Sequence, residues 1–206
     1  SSKVISSDKR KAKIIGNFGV GFNNIDIESA KSNGVVVTNT PEVLTDCTAD
    51  IAMLLLLGVS RRASEGESHV RKKEWSGWRP THMMGTKVTG KTLGLVGMGR
   101  IAQAVAHKAH FGFNMKILFF DPYFNNNDII KKFNALPCKT IDDLLKDSDF
   151  VSLHCPSTSE TKGLMNIKTL SKMKKSSYLI NTARGDVVVE DDLVKALESG
   201  LIKGAG

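Results

Sequence analysis

The sequence predicts an α/β fold, a doubly wound parallel sheet with helices on both faces. Three observations carry that expectation. Apolar, β-branched runs alternate with amphipathic helical stretches along nearly all of the 206 residues, the pattern left by parallel strands joined through crossover helices. A glycine turn, Gly97-Met98-Gly99-Arg100-Ile101-Ala102, joins one strand to the helix after it. An acid, Asp121, closes the strand that follows.

Taken in order, residues 12–16 read as a short strand, 25–31 as a helix stopped by Asn33-Gly34, and 35–38 as a second β-branched strand. Thr40-Pro41 then marks a hinge, because the residue before a proline is pushed out of the helical region. With Thr45 or Asp46 as its cap, one long helical stretch runs to about residue 74, and it is so apolar over 51–57 that more than one face must be buried. Such an element lies between two domains or two subunits. Residues 75–90 are irregular and hold both tryptophans, Trp75 and Trp78, either as a loop pinned to its own core or as a subunit contact. Beyond them strand 92–96, helix 101–110, strand 116–120, helix 128–133, strand 135–137, helix 141–146, strand 150–154, helix 167–173, strand 177–181 and helix 190–199 alternate. A further strand starts within 200–206.

Each residue of the glycine turn has a physical role in holding a dinucleotide. Gly97 permits the tight turn, Gly99 lets the backbone approach a pyrophosphate, and the small Ala102 lets the helix sit close to the strand. The helix N-terminus offers unpaired amides and the positive end of its dipole to the phosphates. Asp121, about 20 residues on, accepts from the ribose hydroxyls and repels a 2′-phosphate. Pro122, Tyr123 and Phe124 bring no positive charge, so NAD is expected over NADP. The motif by itself leaves an ordinary strand-to-helix glycine turn as the alternative.

Hydrophobic residues at 41% and charged residues at 24% describe an ordinary globular chain and exclude disorder as its main state. The net charge of +8 invites a nucleic-acid reading, but the basic clusters Lys9-Arg10-Lys11 and Lys172-Met173-Lys174-Lys175 are short and lack interleaved aromatics. Solvated faces are therefore expected, and no nucleic-acid partner. Cys47, Cys138 and Cys155 show no metal or CxxC spacing, and an odd count suits a reducing compartment. The longest apolar run, 51–59, falls far short of the roughly 20 residues that span a membrane. No signal-peptide pattern opens the chain, so a cytoplasmic protein without a membrane partner is the expectation.

Ligands of such sheets sit at the carboxyl ends of the strands. Those ends carry Gly97 to Gly99, Asp121, His154-Cys155-Pro156 and Thr182-Ala183-Arg184, which one crevice is expected to gather. Arg184 is there either as a planar donor fork for the carboxylate and carbonyl of a 2-oxo acid or as a surface arginine capping a turn. In the first fragment Gly19-Val20-Gly21 is either a carboxylate nest of backbone amides or a loop shaped only for turning. His154 reads as a histidine bonded to backbone rather than a catalytic acid. His82, in the tryptophan loop, is a minor candidate for a neighbouring active site; His69, His107 and His110 read as surface or core residues. No Gly-x-Ser-x-Gly elbow and no metal constellation occurs.

Five runs together resemble the D-isomer-specific 2-hydroxyacid dehydrogenase family: residues 16–25, Thr38-Asn39-Thr40-Pro41, 94–102, 151–156 and Asn181-Thr182-Ala183-Arg184-Gly185. They stand in family order and spacing, and residues 16–21 and Trp78-Arg79-Pro80-Thr81-His82 are most similar to the glyoxylate and hydroxypyruvate reductase branch. The resemblance implies a Rossmann-type nucleotide domain, residues 45–206, inserted into a flavodoxin-like substrate domain of which residues 1–44 are the tail, with a homodimer built on the nucleotide domains. It implies that Arg100, Ile101, Asp121, Cys155, Pro156, Thr182 and Ala183 line NAD beside Gly97 and Gly99. By the same likeness the Val20 and Gly21 amides bind the substrate carboxylate and Arg184 is the catalytic arginine. The activity implied is hydride transfer between NAD(H) and small 2-oxo or D-2-hydroxy acids; an NAD-responsive binding protein, or a formate or phosphite dehydrogenase, is the alternative. The family's glutamate and histidine fall beyond Gly206, so the nucleotide domain reads as truncated and the chain as short of its general acid.

Overall fold

The computed structural model describes residues 2–7 and 10–206, which leaves Lys9 of the first basic cluster outside the described residues. The chain forms two compact units, Ser1–Thr45 and Asp46–Gly206.

In the first unit a short helix α1 (Ser2–Ile5) precedes strand β1 (Ile14–Gly16), helix α2 (Ile27–Ser32) and strand β2 (Val36–Thr38). The strands pair in parallel, Ile14 with Val36 and Gly16 with Thr38. Helix α2 begins two residues later than expected because the Asp26 carboxylate accepts the Ser29 N–H (2.9 Å) and caps it. Ile25 packs instead against Ile5, Ala30 and Val35, the small core of this unit.

The second unit begins on helix α3 (Thr45–Ser60) and helix α4 (Ala63–Arg71). One continuous helix is the expectation here, and the structure breaks it. Arg62 adopts a left-handed conformation (φ +58°), while the Ser60 carbonyl accepts the N–H of Thr86 (2.7 Å), so a tertiary bond takes a carbonyl at the helix end. Helix α3 buries one face, Ala49, Ala52, Met53, Leu56 and Ser60, and exposes Ile51 and Leu54. Trp75 and Trp78 are both exposed, so the 75–90 segment is not pinned to its own core by indoles.

After this arm come strand β3 (Thr92–Val96), helix α5 (Arg100–His107), strand β4 (Lys116–Phe120), helix α6 (Asn127–Lys132) and strand β5 (Leu136–Pro137). Helix α7 (Ile141–Asp147), strand β6 (Phe150–Leu153), helix α8 (Ile167–Leu170), strand β7 (Tyr178–Asn181), helix α9 (Glu190–Glu198) and strand β8 (Gly204–Ala205) complete it. The six strands form one parallel sheet in the order β5-β4-β3-β6-β7-β8, the doubly wound arrangement the alternation predicts. The continuation of α5 over Lys108–Gly112 is π-helical rather than α-helical.

Period-two alternation distributes the strands' side chains to two cores. Leu93, Leu95, Ile117, Phe119 and Phe150 pack with α3 and α5 on one face; Val96, Val151, Leu153 and Leu179 pack with Leu144 and Leu145 of α7 on the other. Gly94 has no room for a side chain, since a Cβ would lie 2.1 Å from Ser148 Oγ and 2.7 Å from Leu144 Cδ2. That close approach seats α7 on β3, and a capping box between Thr140 and Asp143 starts the helix.

Candidate functional site

The turn after β3 is shaped by its neighbours at the carboxyl edge of the sheet. Gly97 has φ +91° and donates its N–H to the Phe120 carbonyl at the end of β4 (2.9 Å). An added Cβ would lie 3.0 Å from the His154 carbonyl carbon and oxygen, which are backbone, so both conformation and space require glycine. Met98, fully buried, donates its N–H to Asp121 Oδ2 (2.9 Å), and Asp121 Oδ1 accepts the N–H of Tyr123 (2.9 Å). Asp121 therefore pins the glycine turn to the end of β4, a duty that motif spacing does not signal.

Gly99 differs from Gly97 in its reason for being glycine. Its φ is −70° and a Cβ there meets nothing within 4 Å, so the backbone just ahead of α5 is open to close approach. No side-chain cap forms at this helix start, the condition in which a helix N-terminus takes an anion. Ala102 is completely buried, as close packing of α5 on the sheet requires.

The ends of β3, β4 and β6 surround a cleft of about 650 Å³ lined by Gly97, Gly99, Asp121, Cys155 and Pro156. Tyr123 and Glu160 also line it, their side chains 3.5 Å apart at Tyr123 Oη and Glu160 Oε2. Neither stands out in sequence, since an exposed tyrosine and glutamate carry no pattern. Arg100 and Ile101 are not in the cleft lining; Ile101 packs against the core. Cys155 is buried, which pushes its thiol up and keeps it protonated. The His154 N–H donates to the Val96 carbonyl (2.8 Å) and its Nε2 lies 2.9 Å from Ser152 Oγ. Burial lowers its pKa to about 4, so the imidazole is neutral near pH 7. Its ring partner is a serine hydroxyl rather than the backbone.

Thr182, Ala183 and Arg184 follow β7, which pairs with β6, but they do not line that cleft. The expected single crevice thus gathers part of the set, and the rest lies on the next strand end of the same edge. The side chain of Asn181 organises this turn: Oδ1 accepts the Ala183 N–H (3.0 Å) and Nδ2 donates to the Arg184 carbonyl (2.9 Å). The exposed Arg184 guanidinium donates from Nη1 to the Ala183 carbonyl (2.7 Å). Thr182 Oγ1 is buried with no hydrogen-bond partner among the described residues.

In the first unit the 17–21 loop is held from inside. Asn17 Nδ2 donates to the carbonyls of Gly19 (3.2 Å) and Gly21 (2.9 Å), and Asn39 Nδ2 donates to the Val20 carbonyl (2.9 Å). With those carbonyls engaged, no acceptor among the described residues takes the Val20 or Gly21 N–H, as a nest for an anion requires. Among the described residues no helix is long and apolar enough to cross a membrane.

Comparison with known proteins matches residues 53–206 to the family described as D-isomer specific 2-hydroxyacid dehydrogenase, NAD binding domain. A glyoxylate reductase of Pyrococcus horikoshii is 46% identical over 208 residues, covering 99% of this chain and 61% of that protein. A glycerate dehydrogenase of Hyphomicrobium methylovorum is 41% identical, covering 99% and 63%. Among solved structures, the holo form of Rhodotorula graminis D-mandelate dehydrogenase superposes with a TM-score of 0.91 at 29% identity, over 100% of this chain and 61% of that one. The chain spans about three fifths of the length of the curated relatives it matches.

The residues present fit the dinucleotide. The open backbone at Gly99, the uncapped helix start and the acid-lined cleft at the strand ends supply an anion site and a hydroxyl acceptor side by side.

Proposed function

Because the chain belongs to the D-isomer specific 2-hydroxyacid dehydrogenase family, its residues 53–206 matching the NAD binding domain, we propose that it includes the cofactor-holding part of an oxidoreductase that interconverts small 2-oxo acids and D-2-hydroxy acids. Glyoxylate and hydroxypyruvate are the substrates this reading favours. The observation that carries it is the backbone-built cleft at Gly97, Gly99 and Asp121 in a chain 46% identical to a glyoxylate reductase.

Bound NADH supplies the hydride. Gly99 and the start of α5, with Arg100 and Ile101, would hold the diphosphate, Asp121 the ribose hydroxyls, and Cys155, Pro156, Thr182 and Ala183 the remainder of the cofactor. Arg184 is the catalytic arginine of this reading, its planar fork suited to hold a carboxylate and polarise the adjacent carbonyl. In the first unit the Val20 and Gly21 amides are the carboxylate donors of this reading, without charge, and residues 1–44 belong to the substrate domain. His154, neutral and bonded to Ser152, does not supply the proton the alkoxide needs.

The test is NADH oxidation by the full-length protein with glyoxylate and with hydroxypyruvate. Turnover that R184A abolishes while NADH still binds supports the reading. NADH binding with no turnover of any 2-oxo acid overturns it in favour of an NAD-responsive binding protein. The reading extends to a homodimer formed through the second unit, supported by the exposed Ile51 and Leu54 of α3 and by Trp75 and Trp78. A purely monomeric light-scattering mass would refute that extension. A cytoplasmic setting, with neither nucleic acid nor membrane as partner, goes with it and is favoured by the three free cysteines.

A further inference from the structure

We propose that Asn181 is the positioning residue for Arg184, acting through its side-chain amide to fix the backbone from which the guanidinium projects. The inference rests on the reading that Arg184 engages the substrate.

Residues 182–184 leave the sheet between β7 and the short helical turn Gly185–Val187. A segment that leaves a sheet loses its ladder bonds, and its backbone groups need other partners. Asn181 is itself anchored, because its N–H donates to the Gly206 carbonyl (2.9 Å) and its neighbours are paired with β6. From that anchored position its side chain spans the turn. Oδ1 takes the N–H of Ala183 at 3.0 Å and Nδ2 gives a hydrogen to the carbonyl of Arg184 at 2.9 Å. The Arg184 carbonyl also accepts the Val187 N–H (3.4 Å), so the amide and the following turn hold the same peptide group.

The chemistry at both ends selects asparagine. One end must accept and the other must donate, which a carboxamide does and a carboxylate does not. An aspartate would keep the bond to Ala183 and set a negative oxygen against the Arg184 carbonyl. A leucine or alanine would leave both backbone groups without this partner. The next side chain, Thr182, plays no part in the clamp, its Oγ1 being buried and unbonded among the described residues. With the peptide on its carbonyl side fixed, Arg184 extends at φ −145° and ψ +142°. The guanidinium itself is exposed, its Nη1 donating to the Ala183 carbonyl.

A misplacement of about 1 Å at a substrate-orienting group costs on the order of 100-fold in rate. The experiment is a double-mutant cycle in the full-length protein, read as kcat and KM for glyoxylate with NADH. N181A and N181D are each expected to lower kcat/KM by about 10- to 100-fold. Built on R184K, N181A is expected to lower kcat/KM by less than about threefold more, because a residue that acts through Arg184 has little left to act upon. A merely structural asparagine would give equal losses in both backgrounds, and that result overturns the proposal. So does an N181D that keeps the parent kcat/KM. If R184K itself keeps the parent kcat/KM, the assignment of Arg184 fails, a result separate from any behaviour of Asn181.

Discussion

Gly97 and Gly99 are two residues apart, belong to one motif, and should fail in opposite ways when each is given a methyl group. At Gly97 the methyl would sit at φ +91°, 3.0 Å from the His154 carbonyl carbon and oxygen and 3.1 Å from the Cys155 nitrogen. The left-handed backbone costs about 1–2 kcal/mol, and pressing against backbone that cannot rotate away costs about 1–3 kcal/mol more. The sum, about 2–5 kcal/mol, corresponds to a fall in Tm of roughly 4–20 °C for a domain of this size. Gly99 sits at φ −70° and ψ −174°, and its methyl would meet nothing within 4 Å, so stability should change by about 0.5 kcal/mol or less. In the proposed reading that open space is where the backbone meets the diphosphate. One or two charge-assisted bonds at about 1.5–3 kcal/mol each depend on the approach, so G99A should weaken NADH binding on the order of 100-fold. Thermal melts and NADH fluorescence titration of the two variants decide the matter. A G99A that binds NADH within about threefold of the parent would refute the assignment of that backbone to the cofactor, and a G97A with an unchanged Tm would refute the packing argument.

Four more outcomes follow from the same geometry. G94A forces a Cβ to 2.1 Å from Ser148 Oγ and 2.7 Å from Leu144 Cδ2, so α7 must move off β3; a loss of about 2–3 kcal/mol in urea melts is expected, and an unchanged midpoint would mean that α7 yields freely. His154 titrates near 4 in the folded protein, below its ordinary 6.5, so between those values the unfolded chain binds the extra proton and stability falls as pH drops from about 6.5 to 4. The full effect is about 3 kcal/mol, and H154N should remove that part of the pH slope. D121N can satisfy only one of the Met98 and Tyr123 N–H groups with its single acceptor oxygen, so it should lose about 1–2 kcal/mol of stability together with NADH affinity. E160Q, which removes the cleft's other carboxylate, should leave Tm unchanged and improve NADPH binding by about fivefold, roughly 1 kcal/mol of relieved repulsion; a lower Tm in E160Q or an undisturbed D121N would contradict this division.

Legibility in the sequence followed the range of the interactions. The strands were readable because burial on both faces turns each into a short apolar run, and Leu93-Gly94-Leu95-Val96 or Phe150-Val151-Ser152-Leu153 needs no partner to be recognised. The cofactor turn was readable because its requirements are local: a left-handed φ at Gly97, an open backbone at Gly99, a buried methyl at Ala102. The break between α3 and α4 was not, because neither glycine nor proline marks Ser60-Arg61-Arg62. Its partner is Thr86, 26 positions along. Gly85 is part of the same contact, a Cβ there falling 2.6 Å from the Ser60 carbonyl. The π-helical continuation at Lys108–Gly112 likewise keeps ordinary helical residues, with no punctuation until Gly112. Tyr123 and Glu160 entered the cleft unannounced, since they meet only after two separate loops fold over the strand ends.

Asp121 and Asn181 together show why this edge of the sheet carries its chemistry on so few side chains. Each stands at or just past the end of a parallel strand, where the ladder stops and the next few backbone groups lose their partners. Each spends its side chain on those groups: Asp121 on the amides of Met98 and Tyr123, Asn181 on the Ala183 amide and the Arg184 carbonyl. In the proposed reading the turn held in this way is the one that faces the ligand, so the residue that stabilises the fold is also the one that sets the site. A substitution chosen to change cofactor preference at Asp121 must therefore also replace two acceptors for backbone N–H groups. Glu160, tied only to Tyr123 at 3.5 Å, carries no such obligation. Selectivity should be adjustable there at little cost to the fold, whereas at Asp121 the two cannot be varied apart.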